Sequence, residues 1–175
     1  MAKAVTPIPE GFHTVTPHLV IKGAAAAIDF YKRALGAEVL ARMDGPGGTV
    51  GHAELKIGDS IIFLADEFPG APCTSPQTLG GSPVSLHLYV PDVDATFQRA
   101  ISAGGRETMA VTDMFWGDRF GQLQDPFGHS WSIATRKEIL TPQETERIVA
   151  TLDGAEIAAA WRRAVMSDGV TAILQ

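Results

Sequence analysis

Shifted by 69 positions, the chain overlays on itself: His18–Glu38 (HLVIKGAAAAIDFYKRALGAE) falls on His87–Glu107 (HLYVPDVDATFQRAISAGGRE) without a gap. His18/His87, Leu19/Leu88, Ala26/Ala95, Ala34/Ala103, Gly36/Gly105 and Glu38/Glu107 are identical, and Ile28/Phe97 keeps an apolar residue at the same helix position. The period is too long for a solenoid repeat, so it reads as duplication of a folding unit. Whatever one copy forms, the other should form again.

Each copy opens on a β-rich run, Val15–Ile21 or Val84–Val90. A helix follows, with Ala27, Phe30, Tyr31, Ala34 and Leu35 at helical spacing in the first copy. Gly36 and Gly104–Gly105 end the helices, because glycine takes the left-handed C-terminal position at no steric cost. Three strands follow in the first copy: Glu38–Met43, Thr49–Ile57 and Ser60–Ala65, with turns at Asp44–Gly48 and Gly58-Asp59. The second copy repeats them as Glu107–Thr112, Arg119–Gln124 and Ser130–Thr135, with a loop at Asp113–Asp118 and a turn at Asp125–Gly128. The expected class is α+β: two tandem βαβββ modules over residues 12–66 and 84–135. An arm (1–11) precedes them, a Pro/Gly-rich linker (67–83) joins them, and a helical tail (136–175) follows. In the tail, Thr141-Pro142-Gln143-Glu144 reads as a capping box, Gly154 as a stop, and Ile157/Trp161/Val165 as the apolar stripe of a second helix.

Composition removes several function classes. At 175 residues and 45% apolar content the chain can bury a core without staples. The single cysteine, Cys73, excludes an internal disulfide and a Cys-based zinc site. The net charge of −6, with no basic cluster, speaks against nucleic acid. The polar, Pro-broken N-terminus and the lack of a long apolar run predict a cytoplasmic protein that does not enter membranes. No glycine-rich loop leads from a strand into a helix, and no Gly-x-Ser-x-Gly elbow is present, so nucleotide binding and serine nucleophile chemistry find no support.

The phrase Gln124-Asp125-Pro126-Phe127-Gly128-His129, the helix motif Ile28-Asp29-Phe30-Tyr31 and the internal repeat together resemble the vicinal oxygen chelate (glyoxalase/bleomycin-resistance/dioxygenase) superfamily over about residues 12–135. Phe115-Trp116-Gly117-Asp118-Arg119 and the helical tail are similar to a phosphonate-operon-like bacterial group of unsettled function. The resemblance implies concave mixed sheets around a cavity, helices on the convex side and, in glyoxalase I-like members, a divalent metal on four His or Glu side chains. The matching positions here are Thr16, Phe63, Ser85 and Ser132. Phenylalanine has no donor and neutral hydroxyls bind divalent ions weakly, so no cofactor is expected at the family's usual site.

Alternation along the strands offers other inward groups. His18 and His87 lie two residues beyond Thr16 and Ser85, His52, Glu54 and Lys56 alternate with apolar residues, and Gln122 and Ser132 do the same in the second copy. In Asp113–Arg119, Phe115 and Trp116 would form a lid over a flat ligand or a plug, and Arg119 would meet an anionic group. His129 is expected to serve the turn. The ligand-binding candidates are thus His18, His52, Glu54, Phe63, His87, Trp116, Arg119, Gln122 and Ser132.

Three functions follow as alternatives. The first is a metal-free small-molecule binder for an aromatic or cationic compound, working as a homodimer. The second is a lyase, isomerase or transferase with Zn, Ni, Mn or Fe on a displaced site of His18, His52, Glu54 and His87. The third is an interaction protein acting through its tail. Whether the chain is an enzyme stays open at this point.

Overall fold

A computed structural model describes residues 6–151, and these divide into two compact units that meet between Gly80 and Gly81. The Gly154 stop of the first tail helix and the predicted second tail helix lie outside the described residues.

The first unit runs β1 (His18–Ile21), α1 (Ala24–Leu35), β2 (Glu38–Asp44), β3 (Val50–Ile57) and β4 (Ser60–Asp66). The second repeats this order as β5 (Ser85–Tyr89), α3 (Val93–Ser102), β6 (Arg106–Asp113), β7 (Asp118–Gln124) and β8 (Ser130–Arg136). Each unit holds one four-stranded mixed sheet, in the orders β1-β4-β3-β2 and β5-β8-β7-β6. The first strand joins the fourth in parallel and the other pairings are antiparallel. These are two tandem βαβββ modules. The initial strands are shorter than predicted: β1 begins at His18, so Thr16 precedes the sheet.

Alternation decides which face meets the helix. In the first module Leu19, Ile21, Ala53, Leu55 and Leu64 are buried, and α1 brings Ala27, Ile28, Phe30, Tyr31 and Ala34 against β1, β3 and β4. In the second, α3 brings Val93, Phe97 and Ala100 to the side holding Leu123, Trp131 and Ile133. Each large apolar side chain so buried contributes about 1.5–3 kcal/mol against the chain entropy that folding removes. Gly121 marks a close approach of sheet and helix: a Cβ there would stand 2.8 Å from Val111 and 3.0 Å from the Phe97 ring.

The duplication extends to the helix caps. Asp66, at the end of β4, accepts from Gly23 N and Ala24 N through one oxygen (2.9 Å each) and from Val50 N through the other (2.7 Å). Thr135, its counterpart at the same offset, accepts from Val93 N and donates to Val90 O, each at 2.8 Å. Both satisfy backbone groups that the first turn of a helix leaves orphaned. Gly36 ends α1 at φ 69°, as predicted.

The Asp125–His129 turn is built on one carboxylate, 4% exposed. Asp125 accepts from Phe127 N and His129 N on one oxygen and from the Trp131 indole on the other, all at 2.9 Å. Gly128, at φ 91°, closes the turn. The motif holds the β7–β8 hairpin, and His129 is part of it, 8% exposed.

The predicted linker is more ordered than its composition suggests. Ser75 caps a short helix, α2 (Pro76–Leu79), and Ser75 and Thr78 both donate to Glu67 (2.6 and 2.7 Å). In the tail, α4 (Pro142–Thr151) starts with the predicted capping box: Thr141 N donates to the Glu144 carboxylate at 2.8 Å and Glu144 N donates back to Thr141 Oγ1 at 3.2 Å. Among the described residues no helix is long and apolar enough to cross a membrane.

Candidate functional site

Each sheet has one face away from its helix, and the strand register says what stands on it, since cross-strand partners share a face. In the first module one row across the sheet is His18, Phe63, Glu54 and Ala41. In the second the equivalent row is His87, Ser132, Gln122 and Met109. One step along, the first module carries Val20 and Ala65 with His52 on the same side, and the second carries Tyr89, Ala134 and Phe120.

In the first module the structure gathers four of the predicted residues. The His52 ring meets Phe63 at 4.8 Å between centroids, and His18 lies 6.2 Å from Phe63 and 6.4 Å from His52. His52 Nε2 is 3.5 Å from a Glu54 oxygen. Burial, reinforced by the neighbouring His52, pulls the His18 imidazole below its usual pKa. The chain just before β1 adds a residue that sequence reasoning did not single out: Phe12 packs on Phe63 at 5.8 Å, and Gly11 approaches Ile61. Ile61 and Ala65 are buried although they stand on the side away from α1.

The second module gathers His87, Gln122, Ser132 and Trp116 on one face, together with Tyr89, Asp118 and Phe120. His87 Nδ1 is 2.7 Å from Ser132 Oγ, and its ring lies 4.7 Å from Tyr89 and stacks on Phe120 at 6.0 Å and 19°. The residue as a whole is exposed, but its ring is flanked by these two and bonded to a side chain only 6% exposed. Desolvation therefore lowers its pKa in spite of the opposing field of Asp118. Trp116 packs on the Met109/Phe120/Ala134 cluster with Met114, its ring 5.7 Å from Phe120. The predicted long loop is a tight hairpin tip, Met114–Gly117, tied down where Lys137 N and Glu138 N donate to Gly117 O. At its base Asp118, 5% exposed, accepts from the Tyr89 hydroxyl (2.9 Å) and the Trp116 indole (3.2 Å) on a single oxygen. The bond to Asp118 is the main reason the Tyr89 phenol holds its proton above the usual pKa.

Arg119 does not join this group. It stands next to Asp118 in β7, so it faces the helix side, where its guanidinium takes both Asp94 oxygens at 2.7 Å and reaches Asp113 at 3.2 Å. The expected anion-binding arginine is a brace between α3 and the hairpin, its charge already matched.

The donor set does not fit a divalent ion at the family's usual positions. Thr16 precedes β1, Phe63 is a hydrocarbon ring among other rings, Ser85 is a neutral hydroxyl, and Ser132 is bonded to His87. The displaced set fares no better within the first module. Among the described residues no three His, Cys, Asp or Glu side chains gather closely enough to hold a metal ion, the His18, His52 and Glu54 trio included.

Comparison with known proteins places this architecture. The family model described as Glyoxalase/Bleomycin resistance protein/Dioxygenase superfamily matches residues 11–133. An uncharacterized protein of Mycobacterium bovis is 48% identical over 122 residues, covering 68% of this chain and 80% of the relative. Among solved structures, TioX from Micromonospora sp. ML1 superimposes with a TM-score of 0.57 at 26% identity, over 74% of this chain and all (100%) of that one. A gene product of Arabidopsis thaliana does so with a TM-score of 0.58 at 28% identity, over 70% and 98%. The chain belongs to the glyoxalase/bleomycin resistance protein/dioxygenase superfamily.

Proposed function

We propose that this protein binds a small organic molecule on the helix-free faces of its modules, without a divalent ion at the superfamily's usual position. The observation that carries this is that a ring and neutral hydroxyls stand at that position, with further rings around it. Phe63 lies among Phe12, His18 and His52, and Ser132 lies beside His87 with Tyr89, Phe120 and Trp116 next along the face. Partly exposed rings with a few polar groups, here Glu54, Gln122 and Ser132, suit a flat or apolar ligand held by stacking and oriented by hydrogen bonds. The working form we take to be a homodimer. The fully exposed edge strand β2, with Val39, Leu40 and Met43 open to solvent, supports that reading, and light scattering of the purified chain tests it.

A thermal-shift titration of the untagged protein tests the main claim. Small aromatic compounds are expected to raise the melting temperature, and Zn²⁺, Ni²⁺, Mn²⁺ and Fe²⁺ to leave it unchanged. A metal-induced rise that disappears in His18→Ala/His87→Ala would instead support the displaced metal site and the lyase, isomerase or transferase reading.

A further inference from the structure

The second module buries a carboxylate that makes no direct ion pair with any described cation. Asp118 is 5% exposed at the start of β7, and both of its side-chain hydrogen bonds come from neutral donors, the Tyr89 phenol and the Trp116 indole, on one oxygen. Among the described residues it joins no ion pair. The adjacent Arg119 is committed to Asp94 and Asp113 on the other side of the sheet, and the cross-strand neighbour Arg136 is exposed: its charge reaches Tyr89, but it makes no ion pair with Asp118. His87, the nearest group able to gain a charge, is held toward its neutral form by desolvation. A buried charge of this kind is costly unless a countercharge completes it.

The surroundings say what kind of countercharge fits. Apart from Arg136, the residues open to solvent around Asp118 are aromatic: Tyr89 is 60% exposed and Trp116 is half-buried, and both rings are oriented by their bonds to the carboxylate. Aromatic faces attract cations that have been stripped of water, and a phenol or indole N–H engaged with an anion makes its ring a richer partner. Met109 and Met114 add polarizable surface nearby. For a bare metal ion, no three His, Cys, Asp or Glu side chains gather among the described residues, and an organic anion meets the wrong charge. We propose that this face selects an organic cation, an alkyl- or arylammonium group seated against Tyr89 and Trp116 over Asp118. The proposal rests on the small-molecule reading above and names the ligand class of that site.

The test uses the full chain, ¹⁵N-labelled, with the Trp116 indole N–H resonance identified by its loss in Trp116→Phe. Benzyltrimethylammonium and its neutral isostere neopentylbenzene are titrated separately. The cation should shift this resonance saturably and bind about tenfold or more tightly than the isostere. Asp118→Asn, which keeps an oxygen for both donors, should remove that preference. Equal affinity for the two compounds overturns the cation proposal and leaves the small-molecule reading standing. No response to either compound overturns both. If Asp118→Asn fails to fold, the wild-type preference alone decides.

Discussion

Replacing Asp125 by alanine removes an acceptor that three buried donors share: Phe127 N, His129 N and the Trp131 indole, each at 2.9 Å. Hydrogen bonds to a charged group contribute about 1.5–3 kcal/mol each, but the two amides can partly turn to water once the turn loosens, so about 4 kcal/mol is the expected loss. Against a typical domain stability of about 5–15 kcal/mol, that is a large fraction. Asp125→Asn should cost about 2 kcal/mol, because the oxygen serving the two amides can be kept while the other becomes an NH₂ facing the indole N–H. Trp131→Phe removes that donor, so adding Asp125→Asn to it should cost less than in the wild type, with a coupling of about 1–2 kcal/mol in the double-mutant cycle. Urea unfolding followed by circular dichroism measures all four. A loss under about 1 kcal/mol for Asp125→Ala, or no coupling in the cycle, would refute the view that the motif's role is to hold the β7–β8 hairpin.

Three other expectations follow from the same geometry. Gly121→Ala forces a Cβ to within 2.8 Å of Val111 and 3.0 Å of Phe97, so it should destabilise by about 1–3 kcal/mol in urea; an unchanged midpoint would mean that the sheet and α3 are not so tightly apposed. Asp66→Ala should cost about 1 kcal/mol or more and Asp66→Thr less, since threonine is what the second module uses at Thr135; equal losses would contradict the equivalence of the two caps. Burial lowers the pKa of both His18 and His87, so above about pH 6.5 folded and unfolded chains are alike neutral there. As pH falls below that value the unfolded chain binds protons that the folded one refuses, and stability should drop until pH passes the lower folded pKa. His87→Gln should make urea midpoints less steep between pH 6.5 and pH 5, and an unaltered slope would count against a desolvated His87.

The internal repeat and strand alternation carried most of the fold into view, because a duplicated unit with a period of two leaves few arrangements for its faces. His52, Glu54, Gln122 and Ser132 stand on the side alternation assigns them. Alternation also held the answer for Arg119, which is in step with Leu123 and so belongs with the helix; its charge invited a ligand role that Asp94 already fills. Other parts were hidden for physical reasons. Glu54 matches Gln122, and His52 matches Phe120, at an offset one residue shorter than that of His18/His87 and Phe63/Ser132, which becomes visible only once β3 and β7 are paired with their neighbours. Asp118 reads as a solvated loop charge, since nothing local announces that Tyr89, 29 residues earlier, reaches over it. Phe12 sits in a stretch without periodicity ahead of β1, and its contact with Phe63 depends on how the chain enters that strand.

Thr16, Phe63, Ser85 and Ser132 offer no donor set for a divalent ion at the superfamily's usual metal position, so none should bind there. Elemental analysis of the untagged protein, purified without chelators, tests this most directly. Divalent metal far below one ion per chain is expected in both the wild type and the His18→Ala/His87→Ala variant. Near-stoichiometric Zn, Ni, Mn or Fe that the variant loses would contradict it.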